Sequence, residues 1–209
     1  MTDAVKGHRG LTAELVVDAA LRAADEGGLE AVSLRRLAGT LAVTPIAIYR
    51  HVQNKSHLLD LMAERLLGQV DLSSTESTTW QDGLRRLLAN YQAVAAAHPA
   101  TALLLSRPFV SPTAVRVAEA LMALLLSAGF DVPQAVRLLQ VITGMLLGPA
   151  INRATWAAAA GERQPRETSP LPSDATSRFM DWSAGPDSDA LTIELIVGGL
   201  EALRAEKRR

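Results

Sequence analysis

At 209 residues the chain has room for one large domain, or for a small one joined to a larger one, with ample material for a core. It contains no cysteine, which excludes disulfides and thiol chemistry and suits a reducing cytosol, and its formal charge is only −1. Hydrophobic residues make up 48% and aromatics 4%, with no alternating runs bounded by turns, so the fold is predicted to be all-α.

The opening MTDAVKGHRG lacks the apolar centre of a signal peptide, which predicts a cytoplasmic protein. Thr12 to Glu26 reads as a first helix capped by Thr12, with Leu15, Val16, Ala19, Ala20 and Ala23 on one face and Gly27–Gly28 as its stop. Ser33 caps a short second helix carrying Leu34, Leu37, Ala38 and Leu41. After about three residues Thr44 caps a third, with Pro45 at its first position, where a missing N–H costs nothing. Two short helices so joined predict a helix-turn-helix over about 33–52, with the first helix packed behind it and Ile48 and Val52 in its core. The helix over about 57–70, with a stripe of Leu59, Met62, Ala63, Leu66 and Leu67, is the mechanical link to the second domain.

The domains are set at 1–56 and 57–209, and the polar stretch DLSSTESTT from Asp71, after the linking helix, reads as the inter-domain loop. Trp80, Leu84, Leu87, Leu88, Tyr91, Val94 and Ala95 then mark an amphipathic helix ending near His98–Pro99, succeeded by a short apolar turn or helix that Arg107–Pro108 breaks. Thr113 to Ser127 and Pro133 to about Ala160 are apolar around much of their circumference. The apolar run within the second, Val136 to Ile151, is interrupted by Arg137, Gln140 and Pro149 and falls short of the roughly 20 apolar residues a bilayer needs, so it is predicted to be a buried helix with no membrane partner. Residues 161–189 form a long loop, with a helical turn expected around Phe179 to Trp182. A last helix runs from about Ala190 to Ala205. It is expected to pair with the preceding one as half of a four-helix bundle completed by a second copy, through Val136, Leu139, Ile193, Ile196, Val197, Leu200 and Leu203.

Charge singles out the helix-turn-helix. Between Ala31 and Leu59 there is no acid, yet Arg35, Arg36, Arg50 and Lys55 are present. Such an excess favours a phosphate backbone through counterion release; the alternative is a solvated basic face on an ordinary bundle. The run L-A-x-x-L-x-V-x-x-x-x-I-Y-x-H-V-x-N-K from Leu37 to Lys55 resembles the DNA-binding domain of the TetR family of bacterial repressors. The adjoining LLDLMAERL, WQDGLRRLLANY at Trp80, Arg107–Pro108, Gly129–Phe130 and ELIVGGLEAL at Glu194 resemble, in order, its tetracycline-repressor branch.

The resemblance implies a three-helix DNA-binding domain and a larger helical domain for dimerisation and effector binding, working as a homodimeric repressor on a palindromic operator in double-stranded DNA. It assigns DNA contacts to Arg35, Thr44, Pro45, Ala47, Tyr49, Arg50, His51 and Lys55. Arg35 suits a bidentate base contact and Lys55 a phosphate, while His51 reads equally as packing. Where the tetracycline branch carries a magnesium-binding histidine the chain has Leu103, and polar ligand contacts fall on Leu87 and Leu121; an aromatic position persists as Tyr91. A tetracycline–magnesium complex would then leave polar groups unpaired at roughly 1–3 kcal/mol each. A small, largely apolar effector is expected instead, with Asn90, Tyr91, Arg107, Gln140, Thr143, Asn152 and Trp156 as candidate contacts and no cofactor or metal.

Catalysis finds no support in the motifs. There is no HExxH, GxSxG or phosphate-binding glycine loop, and His8, His51, His57 and His98 lie in unrelated segments. The other reading is a DNA-binding or architectural protein with no effector.

Overall fold

The computed structural model describes residues 10–73, 79–106, 111–159 and 187–207, and every regular element among them is a helix. Helix α1, Ala13–Ala31, starts where the Thr12 hydroxyl accepts from the Leu15 N–H at 3.3 Å, satisfying one of the donors a helix start leaves free. The expected stop at Gly27–Gly28 is a break rather than an end. Gly28 takes φ +72°, and a further turn runs to Ala31 before the chain leaves at Val32.

Helices α2, Leu34–Thr40, and α3, Pro45–Tyr49, are capped by Ser33 and Thr44 as their sequence demands. The turn between them places Ala42 at φ +53°, a left-handed conformation normally left to glycine. A β-branched side chain there would clash with its own backbone. Ala42→Val is therefore expected to lower stability by about 1–2 kcal/mol, read as a fall in the urea midpoint at constant m value.

Helix α4, Lys55–Leu67, begins earlier than the apolar stripe suggests, because the Asn54 side chain caps it by accepting from the His57 N–H at 2.9 Å. Ile48 and Val52 are fully buried with Val16, Ala20, Leu37, Leu58 and Met62, which closes the three-helix unit over one apolar centre.

The body comprises α5, Trp80–Ala97; a three-ten helix, Pro99–Ser106; α6, Pro112–Ser127; α7, Val132–Ala159; and α8, Asp187–Lys207. Gly129, at φ +94°, makes the tight return between α6 and α7. The three-ten helix lies against α1 and α4 on one side and α5 and α7 on the other. It is the junction of the two parts.

Two expectations about the last long helices are corrected. Ile193, Ile196, Val197 and Leu200 are all less than 9% exposed within the single subunit, because α8 packs this stripe on α5. The Arg85 guanidinium fixes that docking by donating to both Glu194 carboxylate oxygens, at 2.8 and 3.0 Å, and Gln81 donates to Glu201 at 3.0 Å. These four residues are core, not interface. Leu139 is half-buried and lines a cavity within the subunit, while Val136 and Leu203 are exposed.

Nor is α7 a buried helix. Over Val132–Asn152 it is long and apolar enough, by length and composition, to cross a membrane, and only 28% of its most apolar window is buried. One side packs on α5, α6, α8 and the three-ten helix; the other leaves Val141 and Met145 bare. The turn expected around Phe179 to Trp182 lies outside the described residues.

Candidate nucleic-acid interface and ligand cavity

The helix-turn-helix turns its polar and basic side chains outward because its apolar ones are claimed by α1 and α4. Arg35, Arg36, Thr44, Pro45, Tyr49, Arg50 and Lys55 are exposed, Tyr49 at 55%, whereas Ala47 and His51 are half-buried. The Thr44 hydroxyl oxygen accepts from the Ala47 N–H at 3.3 Å, so its own hydrogen is left to donate outward.

One outward residue is not distinguished by the sequence. Ile46 is 71% exposed, the most exposed large apolar side chain among the described residues. In sequence it merges with Ile48 and Val52 as one apolar set, and only the burial of those two separates it. An apolar tip beside cationic side chains suits the methyl group that thymine presents in the major groove.

The helices behind this outward face are tied to each other and to the body. Arg65 of α4 meets Asp18 of α1 at 3.2 Å, and the His98 Nδ1, just before the three-ten helix, lies 3.1 Å from the Asp25 carboxylate of α1. Glu64 of α4 reaches the start of α6. Burial raises its pKa, but hydrogen bonds from Ser111 and Thr113 outweigh this and hold it below the ordinary value.

Within the body a cavity of about 150 Å³ opens between Leu87, Leu88 and Tyr91 of α5, Val117 and Leu121 of α6, and Leu139, Thr143 and Leu146 of α7; Leu67 of α4 and Leu105 of the three-ten helix complete it. Of the residues expected to contact an effector, it brings together Leu87, Tyr91, Leu121 and Thr143. Asn90 is turned away, donating to the Asp71 carbonyl at 2.9 Å. Leu103, Gln140 and Asn152 are exposed and do not line the cavity. Arg107 and the side chain of Trp156 lie outside the described residues. Of its other leucines, Leu67 and Leu88 are legible in the sequence only as helix core, and Leu139 reads there as dimer interface.

Against known proteins, residues 72–184 match the family described as tetracyclin repressor-like, C-terminal domain, and residues 16–62 match the bacterial regulatory proteins of the tetR family. The chain belongs to the TetR family. An HTH-type transcriptional regulator of Saccharopolyspora erythraea is 33% identical over 105 residues, 50% of this chain and 44% of that protein. The HTH-type transcriptional repressor DrrR1 of Streptomyces coeruleorubidus is 35% identical over 109 residues, 50% of this chain and 39% of its own length. The chain thus spans less than half the length of these curated relatives. Among solved structures, apo ActR from Streptomyces coelicolor superposes with a TM-score of 0.74 at 26% identity, covering 94% of this chain and 98% of that one. This TetR-family chain therefore carries the two-part all-α architecture.

Proposed function

We propose that the protein is a transcriptional repressor that binds a palindromic operator as a homodimer and is released by a small, largely apolar effector held in the cavity between α5, α6 and α7. The observation that carries this reading is the outward set on the helix-turn-helix: four cations with no acid between Ala31 and Leu59, beside an exposed Ile46 and Tyr49. Arg35, Thr44, Pro45, Ala47, Tyr49, Arg50, His51 and Lys55 are its DNA contacts, with Ile46 added. The relative DrrR1 is named a repressor, and ActR has been solved in complex with actinorhodin, a precedent for a bound ligand in this architecture. Operator DNA places the activity in the cytoplasm.

The dimer forms through the bare sides of α7 and α8. Leu191, Leu195, Gly198 and Gly199 recur at helical spacing on α8, and Val141, Gly144 and Met145 on α7. Among the described residues, nothing within the subunit lies within 4 Å of a Cβ placed on any of these glycines, which leaves room for a second backbone.

The test is selection of bound sites from a random duplex library, followed by affinity against salt. A symmetric site with half-site centres about 34–36 Å apart, or a multiple, is expected. With four cations a subunit, the slope of log affinity against log salt should be negative and no steeper than about −7. A single unpaired half-site, or an affinity indifferent to salt, would refute the reading.

A further inference from the structure

The effector reading, on which this inference rests, leaves the ligand's chemistry open, and the cavity narrows it. Among the described residues that line it, only Tyr91 and Thr143 carry a polar side chain, and none carries a charge. The Thr143 hydroxyl donates to the Leu139 carbonyl of its own helix at 2.8 Å, so its hydrogen is already committed. Tyr91 is 8% exposed, and no hydrogen bond to its hydroxyl is present among the described residues. Burial pushes its phenol up to about 12, so the proton stays in place throughout the physiological range. The wall therefore offers one free donor in an apolar surround.

Size supplies the second limit. At about 150 Å³ the space matches a dry apolar cavity known to take benzene. We propose that the cavity binds a neutral molecule the size of one substituted ring, bearing a single oxygen acceptor to which Tyr91 donates. Among the described lining residues a second acceptor on the ligand would find no donor, and an ionised group would lose its hydration with no counter-charge to meet it. Tyr91 is thus the specificity-determining residue, and the flanking leucines supply affinity through area alone.

Three probes of equal size separate these requirements: acetophenone, its hydrocarbon isostere α-methylstyrene, and the anion benzoate, each titrated calorimetrically into the full chain. Acetophenone is expected to bind, α-methylstyrene more weakly, and benzoate not at all. Tyr91→Phe, which removes one oxygen and leaves the ring to pack, should weaken acetophenone about tenfold and leave α-methylstyrene within about twofold. The comparison among probes on the unaltered protein stands without any variant. Benzoate binding as tightly as acetophenone, equal affinities for acetophenone and its hydrocarbon isostere, or no binding by any probe would overturn the proposal. Operator affinity measured without ligand keeps the two readings apart. Its absence sinks the repressor and leaves the ligand class standing, whereas selective binding with no change in operator affinity removes only the effector role.

Discussion

Replacing Tyr49 and Arg50 together by alanine is expected to lower affinity for the selected operator by at least about a hundredfold, with helical content and dimerisation unchanged. The reasoning begins at Ile48 and Val52, whose complete burial leaves α3 only one side to present. Tyr49 and Arg50 stand on that side and contribute nothing to the apolar centre, so their loss is cheap for folding. At the DNA each removes a contact: the phenol one to a phosphate and sugar, the guanidinium a charged contact to phosphate or base edge. Such contacts are worth roughly 1–3 kcal/mol apiece, and the two-fold axis repeats them. Electrophoretic mobility shift against the selected site, with circular dichroism and sedimentation as controls, reads the result. Unchanged affinity in a folded dimer would place the interface elsewhere.

The second large effect separates two leucines on one helix. Leu195→Arg should yield a folded single subunit in sedimentation, and Leu200→Arg should fail to fold. Each residue advances an α-helix by about 100°, which puts the two side chains on nearly opposite sides of α8. Leu195 is 59% exposed; Leu200 is 3% exposed and packs toward α5. An arginine at Leu195 stays solvated in the lone subunit and becomes intolerable only when a partner covers it. An arginine at Leu200 is forced into the core with no carboxylate placed for it, at a cost of roughly 4 kcal/mol or more. A hollow of about 200 Å³ between Phe130, Arg137, Val141 and Leu203, beside the same bare side, offers a seat for a partner's side chain. A dimer unaffected by Leu195→Arg would show that α8 faces solvent.

How legible all this is depends on whether a residue's neighbours are near it in sequence. The caps at Thr12, Ser33 and Thr44 are local, three residues from what they touch, and the buried pair Ile48 and Val52 shows in the helical spacing of its own segment, so the sequence locates both. The sides of α8 are not. Both of its sides are apolar, and what distinguishes them is Arg85, 109 residues away, holding Glu194 and with it Ile196 and Leu200 against α5. Similarly, Leu103 and Leu105 are identical in chemistry and two apart, yet only Leu105 reaches the cavity, since the three-ten helix turns them to different sides. Asn90 looks like a ligand contact because it is polar on a cavity-lining helix; its partner is a loop carbonyl 19 residues back.

On the proposed repressor reading, the acid-free stretch around α2 and α3 also shapes how the molecule approaches DNA. Four cations confined there, against a total of −1, leave −5 on the remainder of each subunit. A molecule so polarised does not meet a polyanion at random angles: the body is pushed away while the tip is drawn in, so encounters begin already oriented and sideways, unproductive adhesion to the duplex is suppressed.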